Sequence, residues 1–291
     1  MNDSLETSTE TLRISERFPD ISALGRAVGF ELGFRQLDAG DPSIPATALV
    51  GENVTLTHMR FACGYHQLGL APAERLTFGI PVTGLRDWFG RRYRASSILP
   101  FNHPGGIDGV SGKDFEAITV SISKDFLADI ASCFRIPVAA ELHRPAPESI
   151  IDDGEYTDRL RCLLNRVFSD PAATLGQELE DELAFLLICA AQNGFVGTGE
   201  TSPRLRGQAV ERALAYMADH HDEVISIRDI CSENDIALRT LNRAFNERFG
   251  IGPKAYLKRQ RLSAVRTELL QSPPETLVTD IANRWGFWHM G

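Results

Sequence analysis

Two stretches of the chain repeat each other at a fixed offset of 51 residues. Asp229-Ile-Cys231 returns as Asp280-Ile-Ala282, and Asp235-Ile236 returns as Gly286-Phe287. The first copy opens on Ser226-Ile-Arg-Asp229, a capping box in which hydroxyl and carboxylate satisfy each other's free amides. The spacing predicts a short helix to about Glu233, a turn at Asn234-Asp235, and a helix over Leu238–Phe249 stopped by Gly250. Pro253 suits a first helical position and opens a long helix to Leu270, which Ser272-Pro-Pro274 breaks. With a further helix over Leu205–His220, residues 204–291 read as all helical. They form two helix-turn-helix units joined by one stiff helix. The second unit starts near Leu277, with its first helix surviving in Thr279–Arg284; its second helix is expected beyond Gly291.

Within Leu238–Phe249, apolar Leu241, Phe245 and Phe249 recur at i, i+4 and i+8 and must face a core. Arg239, Thr240, Asn242, Arg243 and Asn246 are left on the opposite surfaces. Those side chains suit a DNA groove, since Arg pairs bidentately with guanine and Asn with adenine. Charge points the same way. The chain carries a net charge of −9, yet residues 236–269 hold eight basic side chains against Glu247 and Glu268. A locally basic stripe on an acidic chain is the electrostatic footprint of nucleic-acid binding, although a solvated helix face has the same composition. Two such units on one helix would reach successive major-groove faces about one turn apart, ~34 Å.

The first half of the chain reads differently. After a tail over 1–20, short β-rich runs follow at Ala48–Val50, Val54–Phe61, Arg75–Val82, Arg94–Leu99 and Phe115–Ile122. Turn chemistry separates them at Pro81-Val-Thr-Gly84, Asn102-His-Pro-Gly-Gly106 and Ser111-Gly-Lys-Asp114, the pattern of a small barrel or sandwich. Helices over Lys124–Phe134, Tyr156–Phe168 and Ala173–Gln192 follow. The last two carry Leu-rich stripes that would pack on the β domain or on a second copy of themselves. The division predicted is a tail over 1–20, a β-rich domain over 21–192, a Gly-, Ser- and Thr-rich linker over 193–203, and the helical domain over 204–291. The fold class is α+β.

Taken together, Arg239-Thr-Leu-Asn-Arg-Ala-Phe245, Gly250-Ile-Gly-Pro253, Tyr256-Leu-Lys-Arg259, Arg261-Leu262 and Asp280-Ile-Ala282 with Gly286-Phe287 resemble the C-terminal signature of AraC/XylS-type transcriptional regulators. Phe78-Gly-Ile-Pro81, His103-Pro-Gly-Gly106 and Trp285-Gly-Phe-Trp-His289 look most like the ethanolamine-utilisation operon regulator branch. The resemblance implies a cytoplasmic homodimer. Its N-terminal cupin-like domain would sense a small-molecule effector, and its C-terminal domain would bind double-stranded promoter DNA. The chain departs from the pattern in three places. The usual turn Gly is Asp235, which tolerates a left-handed backbone at modest cost. The usual Ser before the reading helix is Ala237, which has no capping oxygen. With the second reading helix placed after Gly291, Trp285, Phe287 and Trp288 are expected to lose packing partners, and DNA binding is expected to be weaker and less selective than in the family.

Other chemistries find thin support. No apolar run approaches the ~18 residues of a membrane span, and the polar, acidic Met1–Glu10 is no signal peptide. Five scattered cysteines without a CxxC suit a reducing compartment and argue against a disulfide framework or zinc site. His58, His66, His103 and His143 lack the His-x-His and Glu of a cupin metal site, so no metal or other cofactor is expected. Ser121-x-x-Lys124 lacks the companions of a nucleophile motif. Phe61, Phe78, Trp88 and Phe101 are apolar enough to line an effector pocket, or simply to form core. Two alternatives stay open at this stage. One is a cupin-like metalloenzyme with a helical appendage; the other is a truncated regulator that dimerises but binds DNA poorly.

Overall fold

The computed structural model describes residues 11–91, 93, 96–146, 149–197, 204–221 and 223–287. The chain divides into two compact units, one built on residues 1–34 and 40–200 and the other on 35–39 and 201–291. In chain order the first half contains β1 (Leu12–Phe18), α1 (Ile21–Ala27), β2 (Glu31–Gln36), β3 (Ile44–Val50) and β4 (Val54–Phe61). Next come β5 (Tyr65–Leu70), β6 (Arg75–Trp88), β7 (Leu99–Pro100), β8 (Ile107–Ser123), α2 (Lys124–Phe134) and α3 (Ala140–His143). The unit closes with β9 (Ser149–Ile151), α4 (Glu155–Ser169), α5 (Gln177–Gly194) and β10 (Phe195–Gly197).

β8 is the spine of an eight-stranded sheet. Its C-terminal half pairs with β4, its N-terminal half with β5, and β6 runs antiparallel along it. β3 and β1 extend the β4 side, and β2 lies beyond β5. Register shifts between Pro81 and Asp87 bend β6, and such bulges raise local twist, which curls the sheet into a half-barrel. Side chains alternate across it with period two. Leu76, Phe78 and Ile80 of β6 join Ile118, Val120 and Ile122 of β8 under the helices. Phe115 and Ala117 of β8 turn to the other face, against Ile44 and Phe61.

The Leu-rich stripes of α4 and α5 are used up in this core. Leu160, Leu163, Leu164 and Val167 pack with Leu183, Leu186 and Leu187 against the sheet. Each such side chain contributes roughly 1.5–3 kcal/mol on full burial. Of the two sequence readings of the stripes, the one that packs them on the β domain is the one observed. A buried carboxylate ties α5 to the sheet: Glu180, 1% exposed, accepts from the backbone N–H groups of Asn53 at 3.1 Å and Val54 at 3.0 Å, and from Asn53 Nδ2 at 3.1 Å.

Several expectations need correction. The tail assigned to 1–20 includes β1, which pairs with β3 from Leu12↔Val50 to Phe18↔Ile44; residues 1–10 lie outside the described residues. Pro81–Gly84 and Ser111–Asp114 read as turns, yet both are irregular stretches inside continuous strands. Bulges and a left-handed Asp114 (φ 55°) absorb their turn-forming residues without reversing the chain. Of the strand expected over Arg94–Leu99, only an Ile98 bridge to Ile151 and the start of β7 form, Arg94 and Ala95 lying outside the described residues. Of the linker expected over 193–203, residues up to Gly197 belong to regular elements, since Gly194 ends α5 and β10 pairs with β9, and residues 198–203 lie outside the described residues.

The second unit is helical: α6 (Arg204–Asp219), α7 (Ile227–Glu233), α8 (Leu238–Phe249), α9 (Pro253–Gln271) and α10 (Val278–Arg284). Its core includes an aromatic cluster: Phe245, Phe249 and Tyr256, all buried, meet with ring centroids 4.6–5.3 Å apart.

Candidate nucleic-acid interface and ligand recess

α7 starts on the capping box read from sequence. Ser226 N donates to Asp229 Oδ2 at 2.7 Å, and Asp229 N donates to Ser226 Oγ at 3.3 Å. The backbone bond from Ser226, followed by its hydroxyl, holds the Asp229 carboxyl below the usual carboxylate range. The turn that follows depends on one left-handed residue, Asp235 with φ 50°. Ile236 N then returns to Cys231 O at 2.9 Å and closes the unit.

α8 leaves that turn with Ala237 at its N-cap and no side-chain cap, and it ends on left-handed Gly250, whose N–H donates to Asn246 O. Leu241, Ala244, Phe245 and Phe249 are buried. Arg239, Asn242, Arg243 and Asn246, spaced i, i+3, i+4 and i+7, form an exposed stripe, and Thr240 beside them is half-buried. All five sequence-selected residues therefore lie away from the core face. Their side chains are held locally. Asn242 Nδ2 donates to Leu238 O at 2.9 Å and Asn246 Nδ2 to Asn242 O at 2.8 Å, while Arg243 Nε donates to Glu247 Oε1 at 3.0 Å. The Arg243–Glu247 pair is exposed, 66% and 39%, so it is worth a few tenths of a kcal/mol at most.

The basic stripe divides on inspection. Arg239, Arg243, Lys254, Lys258 and Arg266 are exposed, whereas Arg248, Arg259 and Arg261 are partly buried. Arg261 bonds the carbonyl of Ile225, and burial lowers its pKa. It braces the fold, and local charge count alone did not separate it from the others.

The internal repeat is geometric as well as literal. Ile230 and Ile281, 51 residues apart, are both fully buried. Gly286 is left-handed (φ 79°) where the first copy has Asp235, and Phe287 N donates to Ala282 O at 2.9 Å, as Ile236 does to Cys231. Trp285 and Phe287 were expected to lose packing partners. Both are half-buried, and Trp285 Nε1 donates to Glu268 Oε2 at 2.6 Å, an α9 partner that periodicity did not disclose. Trp288 lies outside the described residues.

Inside the first unit a recess of about 720 Å³, its mouth included, opens among α1, β2 and the bent part of β6. Of the aromatic residues named from sequence, Phe61, Trp88 and Phe101 line it; Phe78 faces the helix-covered core instead. Phe101 stacks on Trp88 (centroids 5.4 Å apart, planes at 24°), and Phe30 meets Phe101 edge-on at 6.3 Å. Gly79 makes room for this wall, because a Cβ there would lie 2.5 Å from Phe101 Cζ.

The histidines set aside have ordinary partners or exposure. His58 bonds Glu116 at 2.7 Å, His66 bonds Asp108 at 2.8 Å, His103 accepts from Gly105 N, and His143 is exposed. Among the described residues no three His, Cys, Asp or Glu side chains gather as metal ligands. Ser121 and Lys124 are engaged elsewhere, with Arg75 and with the Ala73 carbonyl. All five cysteines are free thiols. No helix among the described residues is long and apolar enough to cross a membrane.

Residues 230–291 match the model of a helix-turn-helix domain. A probable thc operon regulatory protein of Rhodococcus erythropolis is 31% identical over 107 residues, covering 36% of this chain and 32% of that protein. The transcriptional activator RhaS of Klebsiella pneumoniae (strain 342) is 37% identical over 78 residues, 27% of each chain. The chain thus spans about a third or less of the length of these curated relatives. Among solved structures, the AraC-like transcriptional activator CuxR aligns over 88% of this chain and 96% of its own, with 14% identity and a TM-score of 0.42. ToxT from Vibrio cholerae aligns over 81% and 90%, with 12% identity and a TM-score of 0.34. The C-terminal segment is accordingly a helix-turn-helix domain, similar to part of each of these regulators.

Proposed function

We propose that the chain is a sequence-specific transcription regulator of the AraC/XylS type, which reads double-stranded promoter DNA through α8 and responds to a small-molecule effector taken up by the half-barrel. The carrying observation is the exposed Arg239, Asn242, Arg243 and Asn246 stripe on the second helix of a complete helix-turn-helix. The second helix of this motif lies in the major groove. There Arg239 and Arg243 would pair with guanine and Asn242 and Asn246 with adenine, while Thr240 contacts a phosphate or a thymine methyl. The exposed Lys254 and Lys258 add positive charge that suits neighbouring phosphates.

Activation is the proposed output, in keeping with the name of the RhaS relatives. A cytoplasmic homodimer is carried over from the family resemblance. Its interface would use surface other than the Leu stripes, which are already buried, and sedimentation equilibrium measures it. The ethanolamine branch rests on Phe78–Pro81, His103–Gly106 and Trp285–His289 alone.

The test is selection of bound duplexes from a random pool by the purified chain, followed by titration at several salt concentrations. One enriched sequence is expected, with log affinity falling linearly in log salt by about 0.9 for each phosphate contact. An unenriched pool, or an affinity indifferent to salt, would sink the proposal.

A further inference from the structure

We propose that the recess of the half-barrel takes an uncharged, largely apolar molecule bearing a hydrogen-bond acceptor, recognised by the indole N–H of Trp88 and the side-chain amide of Gln67. This rests on the effector reading above and deepens it by naming the chemical class of the ligand.

The lining sets the class. Among the described residues around the recess none is charged or a histidine, and the polar side chains are Gln67 and Thr119. An ammonium would find no carboxylate there and a carboxylate no cation, so an ion entering would lose its hydration without replacement. The rest of the wall is aliphatic and aromatic, with Trp88 and Phe101 stacked on each other and Phe30 edge-on to Phe101, so the surface offered to a ligand is apolar.

The donors set the specificity. Trp88 is 2% exposed and its Nε1 is buried without a hydrogen-bond partner; the same is true of the Gln67 side-chain nitrogen. Two unpartnered donors on one wall are unusual, since most buried side-chain polar atoms are paired. An indole N–H donates and never accepts, so the group that satisfies it must be an acceptor: a carbonyl, ether or ester oxygen. The sequence marked Trp88 only as apolar lining and did not mark Gln67 at all. Residues 67 and 88 come together because β5 and β6 both pair with the N-terminal half of β8, at Gln67↔Gly109 and Trp88↔Gly109.

The experiment uses the full chain without DNA and four probes of similar size: acetophenone, ethylbenzene, 1-phenylethylamine and benzoate, each titrated by calorimetry. Acetophenone is expected to bind at least about tenfold more tightly than ethylbenzene, a difference of about 1.4 kcal/mol, and the two ions more weakly than either. Trp88→Phe and Gln67→Leu should each erase the preference for the ketone while ethylbenzene still binds. Equal affinity of the parent chain for ketone and hydrocarbon overturns the proposal without recourse to any variant. So does an ion binding as tightly as the ketone, or binding of none of the four. A chain that prefers the ketone yet selects no duplex keeps this inference and loses the proposed function. A chain that selects duplexes and binds no probe does the reverse.

Discussion

On the proposed reading of α8, the bond from Arg243 Nε to Glu247 competes with a base for the guanidinium, and this competition can be measured. The pair sits at i and i+4 on α8 with Nε 3.0 Å from Oε1, both side chains in solvent. Such a pair stabilises a helix by about 0.3–0.5 kcal/mol. A bidentate contact to guanine discriminates by about 1–3 kcal/mol. We expect Arg243→Ala to weaken the preferred duplex about 5- to 150-fold, relax selection at one base pair, and cost no more than about 0.5 kcal/mol of stability. Glu247→Ala frees the guanidinium and removes a negative charge from the proposed DNA-binding face, so binding should tighten about twofold at low salt, and less at high salt. In the Arg243→Ala background the gain from Glu247→Ala should shrink, and the difference between the two gains is the coupling energy. Fluorescence anisotropy with the selected duplex, at two salt concentrations and across the four members of the cycle, supplies every number. Weaker binding by the Glu247→Ala chain would refute the reasoning, because Glu247 would then be orienting Arg243 toward the base. Unchanged base preference in Arg243→Ala would remove α8 as the reading helix.

Glu180→Ala strands the Asn53 and Val54 amides that its carboxylate serves, at a cost of about 3–5 kcal/mol; urea unfolding with hydrogen exchange at those two amides checks both size and place, and normal protection there would contradict it. Gly286→Ala should destabilise by about 1–2 kcal/mol, since the backbone is left-handed and the new Cβ would lie 2.9 Å from Val224 Cγ1. Asp235→Gly should stay within about 0.5 kcal/mol of the parent in thermal unfolding, because relief of the left-handed strain is offset by a freer unfolded chain. Burial alone would raise the Glu116 carboxyl, yet hydrogen bonds from His58 and Arg60 outweigh it and hold the group below its ordinary value. A folded pKa lying below the unfolded one gives stability that is present above about pH 4.5 and lost as the pH falls below it, so Glu116→Gln should flatten the acid limb of the stability curve, and an unchanged limb would count against this assignment.

The helical half was legible because its determinants are local. The capping box at Ser226, the stop at Gly250 and the Pro253 start each act within one turn, and the three helix boundaries they imply agree with the structure to within a residue. The same reasoning failed between Pro81 and Asp114. There Gly, Pro and Asp mark bulges in strands whose length is set by pairing with β8, many residues away. The clamp of Glu180 on the β3–β4 turn spans 126 residues, and the Trp88–Gln67 wall depends on two separate registers. No window of sequence contains either. On α8 the pattern separated exposed from buried side chains. It could not show that Asn242, Arg243 and Asn246 already have partners, because rotamers answer to neighbours rather than to period.

The two turns show what a motif letter encodes. Family resemblance places glycine at position 235, and aspartate there counted as a departure. The backbone at that residue is nonetheless left-handed, φ 50° against 79° at Gly286, and the hydrogen bond beyond it has the same length, 2.9 Å, in both copies. The requirement is a dihedral angle, which Asp meets at modest cost wherever its Cβ has room. Room is what differs: a Cβ at 286 would press on Val224, whereas Asp235 stands exposed. Position 286 thus calls for glycine for space as well as for angle, whereas position 235 sets only the angle, which Asp meets. A substitution at such a position therefore weighs against the motif only to the extent that the neighbouring side chains refuse it.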